Sequence, residues 1–375
     1  MGDAVRAALD EVFRSHAFVL GPVVEAFEVA LARYLDVPHV VGVGSGTDAL
    51  YLALVAAGIG PGDAVLTSPF SFVASASAIA RTGARPYFAD IEPESFNLDP
   101  GAAARWLRDD CHRAGGLLRA PGGEIVRGIL PVHLFGRPCA IEIVRDLAAE
   151  EGLVMIEDAA QAIGARLATT GQSAGTFGRF GCFSFYPTKN LGAAGDGGCV
   201  VCLDAADAAA LRMRARHGVD GDPYRHVVSG IASRLDAVQA AVLGAKLPHV
   251  DQWNAARRAV AERYDTLLAA EPALAAAVQR PALTPGHVFH HYVVRVSERD
   301  RVRSALAAEG IETQVYYPIP LHVQPCFAAL GHEPNDFPEA DRASRECLAL
   351  PMRPELSGDQ VAAVVSALAR VVSGL

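Results

Sequence analysis

The chain has 375 residues, a formal net charge of -9, and 51% hydrophobic against 20% charged residues. That length exceeds one ordinary domain, so a large unit over 1–245 and a smaller one over 246–375 are expected. The composition argues against a disordered chain, and the acidic balance, with no segment concentrating positive charge, argues against a general nucleic-acid binder.

The first residues lack the basic-then-apolar layout of a secretory signal, and Gly, Pro or charge interrupts each apolar run well short of a membrane span. A cytoplasmic protein is the expectation. Seven cysteines without a spacing framework suggest reduced thiols. Cys199 and Cys202 have the spacing of a metal or redox pair, but they sit in an apolar run that reads as a buried strand. Residues three apart on a strand point to opposite faces, so core cysteines, and no metal site, are expected there.

In chain order, Val5, Leu9, Val12 and Phe13 give residues 3–16 an apolar helical stripe, and a turn at Leu20-Gly21-Pro22 leads to a second helix over 23–34. Val40 to Leu50 then reads as a short strand, a glycine-rich turn and a helix start. Backbone amides of Gly46 and Thr47 at such a helix start form either an anion cradle or an ordinary turn with a Ser or Thr cap. It is not a dinucleotide fingerprint, because Thr47 replaces the third glycine and no acidic residue follows at the ribose position.

Strands at 64–67, 85–89, 126–132 and 153–156 alternate with helices near 72–81, 100–113 and 140–151. Repeated strand–helix–strand units imply an α/β fold with a mainly parallel central sheet flanked by helices. Ligands in such sheets sit at the carboxyl ends of the strands. Asp158 falls at one such end, with Gln161 three residues on. A carboxylate there either pairs with a cationic ring nitrogen or caps a helix, and the amide could reach a ring oxygen.

The segment from Gly181 to Gly198 places one lysine, Lys189, between an aromatic run and small residues that let a ligand approach the backbone. A lysine in apolar surroundings loses ammonium solvation and becomes available as a neutral amine, whereas a solvated lysine after a buried strand is the plain alternative. Ser184, five residues earlier, offers a hydroxyl to a phosphate. A strand over 197–203, helices over 205–216 and through Pro248 to 269, a strand at 291–296, a helix at 300–309, a strand at 313–316 and a helix at 359–372 complete the chain. The loop from Tyr316 to Gln324, stiffened by two prolines, is of the kind that lines sites.

A lysine amine, an anion turn, a hydroxyl and a strand-end carboxylate together describe a pyridoxal phosphate pocket. At this point the sequence resembles the DegT-type nucleotide-sugar aminotransferases of the aspartate aminotransferase fold, fold type I. The motifs that carry the resemblance are Ser45 to Leu50, Glu157 to Gln161, Phe183 to Asn190, Gly195 to Gly198, Ser233 to Asp236 with Gln239 to Ala241, and Tyr317-Pro318 with Pro320 to His322.

The resemblance implies that Lys189 attaches the cofactor, Asp158 pairs with its ring nitrogen and Gln161 reaches its hydroxyl. Gly46, Thr47 and Ser184 would hold the phosphate, and Phe72 would stack on the ring. Arg234, Tyr317 and His322 match positions that serve substrate, the partner subunit or structure. It also implies a homodimer, an amino-acid donor such as L-glutamate, a nucleotide-linked keto sugar as acceptor, and a smaller α+β C-terminal domain.

Two departures stand out. Ala232 occupies a position where such proteins usually carry an Asn that bonds the cofactor phosphate across the dimer, a loss of about 1 kcal/mol. The chain also begins later than is common, which suggests a short leading segment outside this sequence. Dehydratase relatives carry histidine at the lysine position, so Lys189 argues against dehydration. A catalytically silent regulatory protein of the same fold is the remaining alternative.

Overall fold

A computed structural model describes residues 2–374. Helix α1 (Gly2–Ser15) and helix α2 (Pro22–Leu35) precede the sheet. Pro22 at the first turn of α2 and Asp36 in the left-handed region behind it fix both ends of that helix. Strand β1 (His39–Val43) feeds α3 (Gly46–Ala56), whose N-cap Ser45 accepts the Asp48 amide at 3.1 Å. Then follow β2 (Asp63–Thr67), α4 (Ala74–Arg81), β3 (Arg85–Phe88) and a short α5 (Pro100–Arg105).

The helix expected over 100–113 is a correction: α5 passes into a π-helical turn at Trp106–Asp110 and the chain then forms a hairpin of β4 (His112–Ala114) and β5 (Leu117–Arg119). Gly115 and Gly116, both at positive φ, make the tight turn between β4 and β5. After it come β6 (Ile125–Leu130), α6 (Ile141–Glu151), β7 (Val154–Asp158), β8 (Phe180–Ser184), β9 (Gly198–Cys202), α7 (Ala205–Ala215) and α8 (Ala237–Lys246). A turn around Pro248 leads into α9 (Val250–Ala270), followed by α10 (Pro272–Ala277).

The main path of the central sheet runs β1-β9-β8-β7-β6-β2-β3. Strands β8, β7, β6, β2 and β3 are mutually parallel, while β9 runs antiparallel to both of its neighbours. The mainly parallel sheet expected from the alternation is therefore present, with β9 reversed. Alternate residues of each strand enter different cores: Val200 and Cys202 pack with α3, α4 and α7, whereas Cys199 and Val201 pack with α2 and α8. The two cysteines of the close-spaced pair thus lie on opposite faces, as strand geometry requires.

The C-terminal part builds a separate three-stranded antiparallel sheet from β10 (Val278–Gln279), β11 (Tyr292–Val296) and β12 (Cys347–Leu350). Helix α11 (Arg299–Ala308), α12 (Pro338–Glu346) and α13 (Gly358–Ser373), with Ser357 and Gln360 forming a capping box at the last, complete it. Its core joins Tyr264 and Leu268 of α9 to Tyr292, Val294, Leu348 and Leu368. No strand forms at 313–316; only Gln314 bridges to Ala349, because the prolines at 318 and 320 turn the chain out of the sheet. Among the described residues no helix is long and apolar enough to cross a membrane.

Candidate active site

The carboxyl ends of the parallel strands lie at one edge of the sheet, and the chain delivers Asp158 from the end of β7, Ser184 from the end of β8 and Lys189 from the loop that follows. The amide of Lys189 donates to the Tyr186 carbonyl at 2.8 Å, a turn that reverses the chain immediately after the strand. Its neighbour Asn190 is buried and locks that turn: its Nδ2 donates to Asn254 Oδ1 at 2.7 Å and to the Val288 carbonyl at 3.1 Å. Asn254 in turn donates to the Ile163 carbonyl at 3.0 Å. Helix α9 therefore holds the lysine loop from below.

No hydrogen-bond acceptor among the described residues takes up the Lys189 side chain. Burial pushes its amine down to about 8, and the Asp158 carboxylate opposes that fall only in part. The plain alternative, a solvated surface lysine, does not describe this residue.

Asp158 is 5% exposed. Burial raises its pKa, opposed by a hydrogen bond from Ser75 Oγ to Oδ2 at 2.7 Å, by the Ala160 amide on Oδ1 at 3.1 Å and by the charge of Lys189. The helix-cap alternative for Asp158 fails, since residues 160–161 form a turn and no helix follows. Its neighbour Glu157 points away into the protein, where it accepts from the amides of Gly175, Phe177 and Gly178 and lies 2.9 Å from His133 Nε2. His133 Nδ1 already accepts the Cys139 amide at 3.1 Å, so Nε2 carries the ring proton and donates it to Glu157. That lattice fixes the end of β7 and hence the position of Asp158.

Gly46 and Thr47 open α3, where the first amides have no intrahelical partner. Gly46 sits so close to Ser184 that a Cβ on it would meet the Ser184 Cβ at 2.7 Å, and a Cβ on Gly198 would meet the Ser45 carbonyl carbon at 2.5 Å. The two glycines let the helix start press against the end of β8, bringing amides and the Ser184 hydroxyl to one anion-sized cup. Ser233 Oγ ties this turn to the later chain by accepting from Gly44 at 3.0 Å and donating to Asp48 at 2.8 Å.

Gln161 is satisfied within the chain: Oε1 accepts the Phe135 amide at 2.6 Å and Nε2 donates to the Tyr317 hydroxyl at 3.2 Å. Tyr317 thereby joins the site, and the Leu321 amide donates to the Pro69 carbonyl at 2.7 Å, fastening the aromatic loop to the segment that carries Phe72. Phe72 is 54% exposed with its ring centroid 6.2 Å from that of Tyr317, while Phe70 is buried beneath.

Two expected residues do not join this cluster. His322 is wholly enclosed, its ring 4.8 Å from that of Phe337 and its Nε2 3.3 Å from Asp341 Oδ2, so of its possible roles the structural one fits. Arg234 lines a separate groove with Glu25, Glu28, Arg212 and Arg216. Sequence reasoning missed the buried hydroxyl Ser75 and the histidines before β11. His290 Nδ1 donates to Asn190 Oδ1 at 3.2 Å, and His291 stacks on Tyr316 at 4.2 Å with burial pushing its pKa down to about 3. The doubled histidine before an apolar strand, and hydroxyls four apart at a helix start, were the available signals.

Known proteins are similar to this chain over nearly its full length. A pleiotropic regulatory protein of Geobacillus stearothermophilus is 44% identical over 97% of this chain and 93% of its own length. The dTDP-3-amino-3,4,6-trideoxy-alpha-D-glucose transaminase of Streptomyces venezuelae is 40% identical over 96% of this chain and 90% of its own. The crystal structure of NtdA from Bacillus subtilis, solved with bound cofactor PMP, superposes with a TM-score of 0.88 at 29% identity, covering 99% of this chain and 82% of that one. With the family profile matching residues 1–369, this chain belongs to the DegT/DnrJ/EryC1/StrS aminotransferase family.

Proposed function

We propose that this aminotransferase binds pyridoxal phosphate through the cluster around Lys189 and moves an amino group from L-glutamate to a keto group of a nucleotide-linked sugar. The observation that carries the reading is Lys189, an amine without a hydrogen-bond partner among the described residues whose pKa is held near 8, set by a buried carboxylate and a glycine-lined anion cup. The donor set fits the cofactor: Gly46, which has no space for a Cβ against Ser184, brings the unpaired amides at the start of α3 beside the Ser184 hydroxyl as phosphate donors, and a buried carboxylate is the partner a protonated ring nitrogen requires.

When bound, pyridoxal phosphate supplies an aldehyde that captures amines and a ring that withdraws electrons from the adjacent carbon. The chain supplies the rest. Lys189 offers a neutral amine near pH 8 and, when free, carries a proton on Nζ from one carbon to another. Asp158 keeps a negative charge beside the ring nitrogen. The Gly46 and Thr47 amides with Ser184 would hold the phosphate, Phe72 would cover one ring face, and the Gln161–Tyr317 pair would close the side near the ring hydroxyl.

The transaminase activity for which the Streptomyces venezuelae relative is named supports a nucleotide-linked sugar as acceptor and a role in amino-sugar biosynthesis. We further infer a homodimer, a division into units near residue 245 and a cytoplasmic location. The relative named as a regulatory protein favours a second reading, in which the fold binds cofactor and turns nothing over.

Absorbance of the purified protein with pyridoxal phosphate, before and after L-glutamate, separates the readings. A visible band that glutamate bleaches, and that Lys189→Ala does not form, is the expected result, followed by product formation from a panel of keto sugars. A band that glutamate leaves unchanged supports the binding protein. Absence of any band in the wild type overturns the cofactor assignment.

A further inference from the structure

Two hydroxyls lie behind Asp158 in a line that no step above has used. Ser75, in the first turn of α4, is 0% exposed, and its Oγ donates to Asp158 Oδ2 at 2.7 Å. Ser71 is 3% exposed and its Oγ lies 2.8 Å from Ser75 Oγ. A hydroxyl has one proton. Because Ser75 gives its proton to the carboxylate, the bond between the two serines runs from Ser71 to Ser75. The direction of the whole line is therefore fixed: Ser71 donates to Ser75, and Ser75 to Asp158.

The line starts in the segment that carries the exposed ring. Ser71 lies between buried Phe70 and Phe72, and the Ser75 amide donates to the Phe72 carbonyl at 3.2 Å. One short stretch thus presents an exposed aromatic ring and, from the same backbone, a hydrogen bond to the Asp158 carboxylate. Hydroxyl donors that feed one another strengthen the last bond, most of all where water is excluded.

We infer that Ser75, supported by Ser71, is a positioning residue for this aminotransferase: it holds Asp158 in one orientation and in its ionised form, so that the proton shared with the cofactor ring stays on the ring. The inference rests on reading Asp158 as the ring's partner. Without the Ser75 donor the carboxylate becomes more basic and draws the proton toward itself, and the ring loses positive charge. A less positive ring raises the pKa of the nitrogen that joins Lys189 to the cofactor, since a nearby like charge disfavours the protonated form. The other titratable groups facing Asp158 are Lys189, His133 after β6, Cys182 on β8 and Tyr317 on the aromatic loop. None of them donates a hydrogen bond to Asp158.

The test uses the full chain as wild type, Ser75→Ala, Ser75→Thr and Ser71→Ala. The first readout is the pH midpoint of the visible band of the lysine-linked cofactor. The midpoint rises by about one pH unit in Ser75→Ala, the scale of a hydrogen bond to a charged group, rises less in Ser71→Ala, and returns toward wild type in Ser75→Thr. An unmoved midpoint in a Ser75→Ala protein that binds cofactor overturns the inference, as does a threonine variant that behaves like alanine.

The second readout needs no cofactor: the carboxyl carbon of Asp158, assigned by its loss in Asp158→Asn, is titrated by carbon-13 NMR. It titrates higher in Ser75→Ala than in wild type if the hydroxyl stabilises the anion, and unchanged titration refutes the line of donors. If Ser75→Ala does not fold, the same two measurements on Ser71→Ala decide by the same outcomes. Should the wild type form no visible band while the carboxyl still responds to Ser75→Ala, the cofactor reading falls and the hydroxyl line stands.

Discussion

Replacing Lys189 by Met removes a buried amine while keeping an unbranched side chain of similar length. In the unfolded chain the amine titrates near 10.5 and in the folded protein at about 8. Below pH 8 both states hold the proton, and the folded state carries the full cost of an ammonium in apolar surroundings, up to about 3 kcal/mol. Between pH 8 and 10.5 the folded protein has released the proton and the unfolded chain has not, so wild-type stability rises with pH. Above 10.5 the penalty is gone. Lys189→Met should therefore be the more stable protein at pH 7, and its advantage should shrink across that window.

Thermal melts of both cofactor-free proteins at pH 7, 9 and 10.5 measure this as a difference of differences, in which groups common to both cancel. For a chain of this size about 1 kcal/mol corresponds to 1–2 °C, so the expected gap at pH 7 is several degrees. A gap that stays constant with pH would refute the reasoning, because it would mean that the lysine titrates alike in both states.

Asp158→Asn removes the charge but keeps the size, and should lower transamination roughly a hundredfold or more while leaving the fold intact, measured as turnover alongside a circular dichroism spectrum. In Gly46→Ala the new Cβ meets the Ser184 side chain, so α3 must move out by several tenths of an ångström, at a cost of about 1–3 kcal/mol in stability. Cofactor affinity in that variant, read by fluorescence titration, should fall at least about tenfold, and wild-type affinity would show that the cup is not where phosphate binds. Tyr317→Phe leaves the buried Gln161 amide without its acceptor and should cost about 1–3 kcal/mol in urea unfolding, but nothing further when added to Gln161→Ala; an equal cost in both backgrounds would show that the two side chains are not coupled.

Much of the site was legible because its chemistry is local. Helix starts, strand ends and glycine turns follow from neighbours in the chain, so Ser45-Gly46-Thr47, Asp158 and Lys189 could be placed on their elements before any contact was known. The mainly parallel sheet followed from strand–helix alternation, and the opposite faces of Cys199 and Cys202 followed from the period of a strand. The misreadings were local competitions decided late: Gly115 and Gly116 turned an expected helix into the β4–β5 hairpin, and two prolines kept 313–316 out of the sheet.

Tertiary structure alone decided which distant groups meet. The bond from Ser75 to Asp158 spans 83 positions, that from Gln161 to Tyr317 spans 156 and that from Asn190 to Asn254 spans 64, and a periodic pattern carries no information on such pairings. It also separated His322 and Arg234 from the cluster, since a motif fixes the backbone position of a residue but packing fixes where its side chain is buried. The pKa of Lys189 belongs to the same class: the residue type is written in the sequence, but the loss of solvation that makes it an amine near pH 8 exists only once α9, the aromatic loop and the sheet close around it.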